Sequence, residues 1–464
     1  MYNVTLSLDR ENGLPIYEQL YRYFTGEIHS GRLKAGEKLP SKRALCQHLN
    51  ISCSTVETAY GLLTAEGFAE ARPKSGYYVL DYTTLDTVHD NNESKSAATE
   101  TKQEKQAAIS SYFSTSAVDT SLFPYSSWAR LTKRVVYDCP FLLQRGDMQG
   151  ELSLREALAS FLSQYRGVRC TSDQIVVGAG MEYLTEILIK LFSEDAVFAL
   201  EDPGYSSISR ILHNNGRQVK YVELDEFGMN AKKLYKSGAS VAYITPSHQF
   251  PMGITMPAGR RSQILHWASQ KENRYVIEDD YDSEFRYSSR PIPAMQSLDA
   301  MEKVIYVGTF SRSIAPSIRV AYMVLPYKLL SRYREVFEKA SSTVSRYEQE
   351  VLARFINEGY YSRYLRKVGN LYKNRCEKLC AELLGIDGIH IAGNGGGIHF
   401  LAWSDNLTGE QMYERALYEG IMVHKLSDYC REAKSPLQAV VVGFGGADDN
   451  KRNEIIARLK KAWK

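Results

Sequence analysis

The spacing of apolar side chains predicts three amphipathic helices in the first part of the chain. The first spans 15–30, the second starts with Ser41 as its N-cap, and Ser52 or Ser54 caps the third. Their core faces consist of Ile16, Leu20, Tyr23, Phe24, Ile28, Ala44, Leu45, Leu49, Val56, Ala59, Tyr60, Leu62 and Leu63. The second and third helices are short and flank a tight turn, which is typical of a helix-turn-helix.

A β-prone segment follows at 68–80, and its central turn predicts a hairpin wing. Residues 1–80 are therefore predicted to form a winged helix-turn-helix. Basic residues open the second helix and lie in the turn of the wing, where they would contact DNA phosphates on either side of the groove that receives the third helix. These residues are Lys42, Arg43, Arg72 and Lys74. At the start of the third helix, the candidate DNA-binding residues are Ser52, Cys53, Ser54 and Thr55.

This stretch resembles the winged helix of the GntR family of bacterial regulators. The motifs that carry the resemblance are 36–43 (GEKLPSKR), 49–56 (LNISCSTV), 59–60 (AY), 66–67 (EG) and 74–76 (KSG). The resemblance implies a double-stranded DNA operator as partner. Recognition helices of the family usually carry an arginine or another polar contact where Cys53 stands, and Glu57 adds a negative charge, so operator preference is expected to be unusual. In the alternative interpretation, the helices only pack against the larger domain.

A polar segment with few large apolar side chains, 81–111, predicts a flexible linker, because it cannot bury enough surface to offset its ordering entropy. It separates the N-terminal unit from residues 112–464, which are long enough for a large α/β fold. The composition, with 44% hydrophobic and 24% charged residues, excludes a wholly disordered, collagen-like or coiled-coil chain. The net charge of +3 does not by itself indicate nucleic-acid binding.

The N-terminus lacks a signal-peptide pattern, and the sequence has no apolar run of about 18 residues. We therefore expect a cytoplasmic protein without membrane association. The seven cysteines are dispersed and include no CxxC pair, so neither a disulfide framework nor a zinc site is expected.

In the large unit, apolar strands end in polar or glycine-rich turns. At 175–184 a strand, a glycine turn and a helix start would direct the backbone N–H groups of Gly178, Ala179, Gly180 and Met181 toward a phosphate, although such turns also occur without any ligand. Three further strand ends carry candidate site residues: Tyr205 after the strand at 196–200, His248 and Gln249 in the loop 245–253, and Asp279 and Tyr281 after the strand that begins at Tyr275.

These strand ends also have simpler interpretations. Tyr205 can cap a loop, and His248 and Gln249 can fix the shape of theirs. The carboxylates clustered around Asp279 repel one another unless a cation or a protonated ring lies among them, which leaves a metal cluster or a solvated loop as alternatives.

The order of these motifs, together with 123–128 (FPYSSW), 150–155 (GELSLR) and 304–319 (VIYVGTFSRSIAPSIR), resembles the MocR/GabR subfamily of GntR-type regulators. The resemblance implies that residues 112–464 form a fold-type I aminotransferase-like domain, built for pyridoxal 5'-phosphate (PLP). It implies that Tyr205 stacks on the pyridine ring, that Asp279 pairs with the ring nitrogen and that Tyr281 contacts the phenolic oxygen. Ser311 and Arg319 would hold the phosphate.

Arg312 departs from this pattern, because the family has its Schiff-base lysine at this position. A guanidinium stays protonated and is a poor nucleophile, so no catalytic residue is expected and PLP would be bound noncovalently. The late strand at 440–445 (VVVGFG) also lacks the arginine that binds substrate carboxylates in aminotransferases of this fold.

The sequence thus predicts a DNA-binding transcriptional regulator whose aminotransferase-like domain senses a small ligand, either PLP or its adduct with an amino acid. The resemblance also implies a head-to-tail homodimer and a small-molecule effector of the amino-acid class. Two alternatives remain: a PLP-dependent aminotransferase with a DNA-binding domain, which Arg312 disfavours, and a regulator whose large domain only dimerises.

Overall fold

A computed structural model describes Val4, Leu6, Leu8, 14–73, 75–81, 113–287, 292–435, 437–446 and 452–464. The chain forms two compact units, Met1–Thr99 and Glu100–Lys464. The linker predicted at 81–111 lies outside the described residues apart from Asp81. No helix of the described residues is long and apolar enough to cross a membrane.

The N-terminal unit contains the three helices and the hairpin that the apolar pattern predicts. They are α1 (Ile16–His29), α2 (Lys42–Leu49), α3 (Cys53–Ala65), β1 (Ala69–Arg72) and β2 (Gly76–Val79). The Ser41 hydroxyl accepts a hydrogen bond from the Ala44 amide, and Ser52 accepts one from Thr55, so each short helix has a side-chain N-cap. Leu20, Phe24, Leu45, Val56, Tyr60 and Leu63 form a buried core.

The large unit is a mixed α/β structure. Its strands are β3 (Ile175–Gly178), β4 (Val197–Asp202), β5 (Gln218–Asp225), β6 (Gly228–Met229), β7 (Val241–Ile244), β8 (Tyr275–Asp280), β9 (Val304–Thr309), β10 (Ala321–Val324), β11 (Ile389–Ala392), β12 (His399–Ser404), β13 (His424–Lys425) and β14 (Ala439–Gly443). Its α-helices are α4 (Tyr125–Asp138), α5 (Leu152–Arg166), α6 (Met181–Leu191), α7 (Ser206–Asn214), α8 (Ala231–Lys236), α9 (Ala258–Ser269), α10 (Phe310–Ser313), α11 (Tyr327–Val336), α12 (Arg346–Asn357), α13 (Tyr360–Leu384), α14 (Gly409–Tyr418) and α15 (Arg452–Trp463).

Eight strands form the main sheet in the order β3-β10-β9-β8-β7-β4-β5-β6. The central strands β9, β8, β7, β4 and β5 are parallel, whereas β10 is antiparallel to both of its neighbours. The parallel strands β7, β8 and β9 are buried along their whole length, which explains the apolar sequences of β7, of the first half of β8 and of most of β9. Strands β11 to β14 form a separate antiparallel sheet. The predicted fold class, a winged helix-turn-helix with a fold-type I aminotransferase-like domain, is confirmed.

The prediction that the cysteines form no disulfide is wrong for one pair. Cys46, in the last turn of α2, is bonded to Cys53, the first residue of α3. The tight turn between the two helices brings their Cα atoms to 5.4 Å, within the range that a disulfide spans. The sequence did not reveal this pair because its spacing matches no known cysteine motif. Cys139, Cys170, Cys376, Cys380 and Cys430 are free thiols.

Candidate functional site

A cavity of about 200 Å³ opens where the parallel strands β7, β8 and β9 end. Ligands of open α/β sheets bind at this carboxyl edge. Residues predicted from the sequence that line the cavity are Met181, Tyr205, Asp279, Tyr281, Ser311, Arg312 and Arg319. Of the other described candidates, Gly178, Ala179, Gly180, His248 and Gln249 are not among its lining residues.

Asp279 is the most unusual polar group in the cavity. Its carboxylate is buried, and one oxygen accepts a hydrogen bond from the Tyr243 hydroxyl at 2.5 Å. The other oxygen, Oδ1, has no hydrogen-bond partner among the described residues. Burial raises the pKa of Asp279 to about 7, against the opposing effects of the Tyr243 hydrogen bond and the Arg312 charge. A buried acceptor without a partner favours a ligand that donates a hydrogen bond to it.

The carboxylates next to Asp279 also have partners, although Oδ1 of Asp280 and Oδ1 of Asp282 are, like Asp279 Oδ1, buried without a hydrogen-bond partner among the described residues. Glu278 accepts hydrogen bonds from two backbone N–H groups at 2.7 and 2.8 Å, and Asp280 forms a buried ion pair with Arg166 at 2.7 Å. Asp282 pairs with His248 at 2.9 Å. The strand end is therefore not a solvated loop.

Two arginines bring positive charge to the cavity. The Arg312 guanidinium donates a hydrogen bond to the Thr115 carbonyl. Arg319 forms an ion pair with Glu182 at 2.5 Å, and both side chains are half exposed. Glu182, at the start of α6, also lines the cavity and was not predicted from the sequence. Its carboxylate pairs with Arg319, the residue that an anionic ligand would need as its own partner.

Two of the four backbone N–H groups predicted to face a phosphate already have acceptors within the chain. The Ala179 amide donates to the Thr343 hydroxyl at 3.1 Å, and the Gly180 amide donates to the Gly178 carbonyl at 2.8 Å. Gly180 instead allows Arg319 to approach closely, since a Cβ at Gly180 would lie 2.7 Å from the guanidinium. Its positive φ of 92° also favours glycine.

His248 and Gln249 organise the loop after β7 rather than line the cavity. The Gln249 amide donates to the carbonyls of Pro203 and Phe250 and accepts from the Met252 N–H. The Tyr281 hydroxyl donates to the His248 carbonyl at 2.9 Å, which fixes the Tyr281 ring at the cavity wall.

Sequence reasoning missed two groups behind the cavity. Tyr243 lies inside the apolar strand β7, so no pattern distinguished it from a core residue. Glu201 is the penultimate residue of the apolar strand β4, as Asp279 is of β8, so the same signal could have revealed it. Burial raises the pKa of Glu201 to about 7. With Tyr205 and Arg431, Glu201 lines a second cavity of about 20 Å³.

In the N-terminal unit, three hydroxyl groups cluster at the start of α3. Ser52 Oγ lies 2.8 Å from Ser54 Oγ and 2.7 Å from Thr55 Oγ1. The helix dipole makes this end of α3 attractive to a phosphate. Cys53 lies within this cluster, but its sulfur is bonded to Cys46.

The basic candidates of this unit differ in their contacts. Arg43 is exposed, whereas Lys42 forms an ion pair with Glu57 of α3 at 2.7 Å. Arg72 contacts Glu70 and lies over the Tyr78 ring, 4.3 Å from its centroid. Lys74 lies outside the described residues.

The fold and these sites define a class of protein. Residues 16–79 match the gntR family of bacterial regulatory proteins, and residues 113–433 match the class I and II aminotransferases. The chain belongs to the transcriptional regulators of the GntR/MocR type, which carry an aminotransferase-like domain.

Individual relatives match the whole chain. It is 36% identical to an uncharacterized HTH-type transcriptional regulator, YdeL, of Bacillus subtilis, over 100% of both proteins. It is 31% identical to the probable rhizopine catabolism regulatory protein MocR of Rhizobium meliloti, over 99% of this chain and 96% of that protein. The structure of a kynurenine aminotransferase from Pyrococcus horikoshii covers 78% of this chain and 93% of its own, with a TM-score of 0.66 and 23% identity, which shows a shared fold alone.

Proposed function

We propose that this regulator binds PLP, or its adduct with an amino acid, noncovalently in the cavity at the ends of β7, β8 and β9, and that binding alters its interaction with DNA. The observation that carries the proposal is the buried Asp279 oxygen without a partner. A protonated pyridine nitrogen donates a hydrogen bond and carries a positive charge, so it fits this acceptor. Tyr205 and Tyr281 line the same cavity, where their rings could contact the ligand, although the Tyr281 hydroxyl already donates to the His248 carbonyl.

The residues at the phosphate end of the cavity also support the proposal. Arg319 and the Ser311 side chain would hold the phosphate, but Glu182 competes for Arg319. Because Glu182 is half exposed, its carboxylate can turn to solvent when a phosphate replaces it. We therefore expect an affinity lower than a cavity without this glutamate would give.

Arg312 determines the type of binding. When bound, PLP supplies an electron-withdrawing ring and an aldehyde. We propose that Arg312 stands where a lysine would bond to that aldehyde, and a guanidinium cannot make this bond. It instead keeps a positive charge beside Asp279 and holds the 115–116 segment through the Thr115 carbonyl. The domain would thus act as a sensor and not as an enzyme.

We propose a head-to-tail homodimer that acts in the cytoplasm, where its double-stranded DNA operator lies. Exposed apolar side chains concentrate between Tyr125 and Leu143, in α4 and the turn that follows it: Tyr125, Val136, Tyr137, Phe141 and Leu143. A patch of this kind is typical of a protein–protein interface. A ligand that favours one of two dimer arrangements would change the spacing of the two winged helices and hence the affinity for the operator.

The test is a titration of PLP into the full-length protein and into Arg312→Lys, followed by absorbance and then by borohydride reduction and mass spectrometry. We expect both proteins to bind PLP, but only the lysine variant to retain it covalently after reduction. Asp279→Asn should lose at least about tenfold in affinity, because an amide does not pair with a protonated nitrogen. Asp195→Asn, which changes an exposed carboxylate, is the matched control.

If neither protein binds PLP, the cavity assignment is wrong. Amino transfer by the unaltered protein would contradict the sensor role of Arg312.

A further inference from the structure

The disulfide lies in the element that would read DNA. It joins the last turn of α2 to the first residue of α3 and encloses the turn 50–52, which includes the N-cap Ser52. We propose that Cys46 and Cys53 are a reversible thiol-modification site and that their disulfide raises the affinity of the protein for DNA. This inference rests on the proposed function only in that the winged helix binds DNA.

The two sulfurs differ in their access to solvent. Cys46 is only 6% exposed and belongs to the core of the N-terminal unit, whereas Cys53 is exposed. A small thiol or disulfide in solution therefore reaches Cys53 first, because thiol exchange needs access to the sulfur that is attacked. A reachable cysteine bonded to a shielded one is the arrangement in which the second cysteine resolves a modification of the first.

The oxidant we propose is a small-molecule disulfide such as oxidised glutathione. The Cys53 thiolate attacks one of its sulfurs, forms a mixed disulfide and releases one small thiol. The Cys46 thiolate then attacks the Cys53 sulfur, forms the protein disulfide and releases the second small thiol. Two electrons pass from the cysteine pair to the small disulfide, and the two protein thiol protons end on the two released thiols. Excess reduced thiol drives both steps backwards.

The bond acts on the groups that would meet DNA. Ser52 caps α3 through the Thr55 amide at 3.2 Å and shares hydrogen bonds with the hydroxyls of Ser54 and Thr55. With the disulfide in place, this first turn cannot open without moving α2. The first turn of α3 is then already ordered before DNA binds. Binding therefore costs less conformational entropy, and such preorganisation increases affinity.

Other contacts keep the two helices together when the bond is reduced. Leu45, Val56 and Tyr60 are buried between them, and Lys42 pairs with Glu57. Reduction should therefore loosen the start of α3 without unfolding the unit. We expect a graded effect, with roughly three- to tenfold weaker DNA binding by the reduced protein.

The experiment uses the full-length protein and a fluorescent duplex enriched on it from a random-sequence DNA pool, with separate enrichments on the oxidised and the reduced protein. Anisotropy gives the affinity after treatment with oxidised glutathione, after dithiothreitol and after reoxidation, and mass spectrometry verifies the Cys46–Cys53 crosslink. We expect the oxidised protein to bind more tightly and reoxidation to restore this affinity.

Two variants distinguish the effect of the Cys46–Cys53 pair from that of the other cysteines. Cys53→Ser should bind DNA equally under oxidising and reducing conditions, whatever its own affinity, and Cys170→Ser, which removes a partly buried free cysteine, should keep the difference. The comparison of oxidised and reduced unaltered protein needs no variant, so misfolding of a variant does not decide the result.

Equal affinities of the oxidised and reduced protein would overturn the inference. So would a redox difference that survives in Cys53→Ser, or a crosslink that resists excess reduced glutathione and therefore acts only as a structural bond. If neither form enriches any duplex, DNA binding itself fails, which distinguishes failure of the proposed function from failure of the redox site.

Discussion

Within the cavity, Asp279 and the arginines differ in whether their partners are already present. Asp279 retains a buried oxygen without a partner among the described residues, while Arg312 and Arg319 contact Thr115 and Glu182. A ligand therefore gains most at the Asp279 end and must displace a carboxylate at the Arg319 end. Removal of the Asp279 charge should therefore weaken ligand binding, whereas removal of the Glu182 charge should strengthen it.

Glu182→Gln should strengthen the binding of PLP by about three- to tenfold, because it frees Arg319 for the phosphate and removes a like charge. Glu186→Gln, one turn further along α6 and also exposed, is the control and should leave affinity unchanged. Absorbance titration measures both. Weaker binding by Glu182→Gln would mean that the carboxylate supports the ligand instead of competing with it.

The buried carboxylates also predict how stability depends on pH. Burial raises the pKa values of Glu201, Glu278 and Asp279 to about 7. The folded chain then holds protons that the unfolded chain releases above its ordinary carboxyl pKa values, so the free energy of unfolding increases as the pH falls through 7. We expect a higher thermal midpoint of the ligand-free protein at about pH 6.5 than at about pH 8.

Differential scanning fluorimetry at constant ionic strength measures this midpoint, and Asp279→Asn should show a smaller shift. Burial lowers the pKa of His399, so below the usual histidine pKa the unfolded chain binds a proton there that the folded chain does not. This lowers the free energy of unfolding as the pH falls further, and the comparison therefore ends near pH 6.5. A midpoint that rises toward pH 8 would contradict the assignment of these groups.

Sequence patterns pointed to Asp279, Tyr281, Ser311, Arg312 and Arg319, because each belongs to a short motif that contains the end of β8 or of β9. They could not reveal what those side chains contact. The hydroxyl that binds Asp279 comes from a neighbouring strand far away in the sequence, and Glu182 reaches Arg319 only because α6 and the 316–319 turn meet at the cavity.

At the scale of elements, the helix-turn-helix depends on the cap of α3. Ser52→Ala should lower the stability of α3 by about 1 kcal/mol, because the Thr55 amide loses its acceptor at the helix start. Ser54→Ala removes a hydroxyl two residues further along and leaves the cap intact. Hydrogen exchange of peptides from α3 in the full-length protein measures the difference, and equal exchange in the two variants would contradict the cap.

The first helix was predicted to within one residue at each end, and the N-caps Ser41 and Ser52 are among those predicted, because the apolar period and the capping serines both act locally. The disulfide was not predicted, since its formation depends on how α2 and α3 meet across the turn between them. In the large unit, apolar strands indicated a parallel sheet edge, but the availability of the glycine-turn amides depended on Thr343, a distant residue that accepts from Ala179.

At the scale of the whole molecule, the proposed dimer predicts a particle of twice the chain mass of 52.5 kDa in sedimentation equilibrium. Leu143→Asp should weaken association, because Leu143 is 81% exposed within the apolar stretch that begins at Tyr125. Tyr418→Asp alters a side chain that is 90% exposed outside this stretch and serves as control. A monomer in the unaltered protein would contradict the proposed assembly.

In the proposed mechanism, a ligand in the cavity of the large unit alters the binding of DNA by the winged helix. The most direct measurement is the affinity of the full-length protein for its enriched duplex, by anisotropy, with and without saturating PLP and in Asp279→Asn. We predict a change of at least about fivefold that the variant loses, since coupling energies between sites commonly reach this size. If PLP binds but leaves the affinity for DNA unaltered, the proposed coupling between the cavity and the winged helix is wrong.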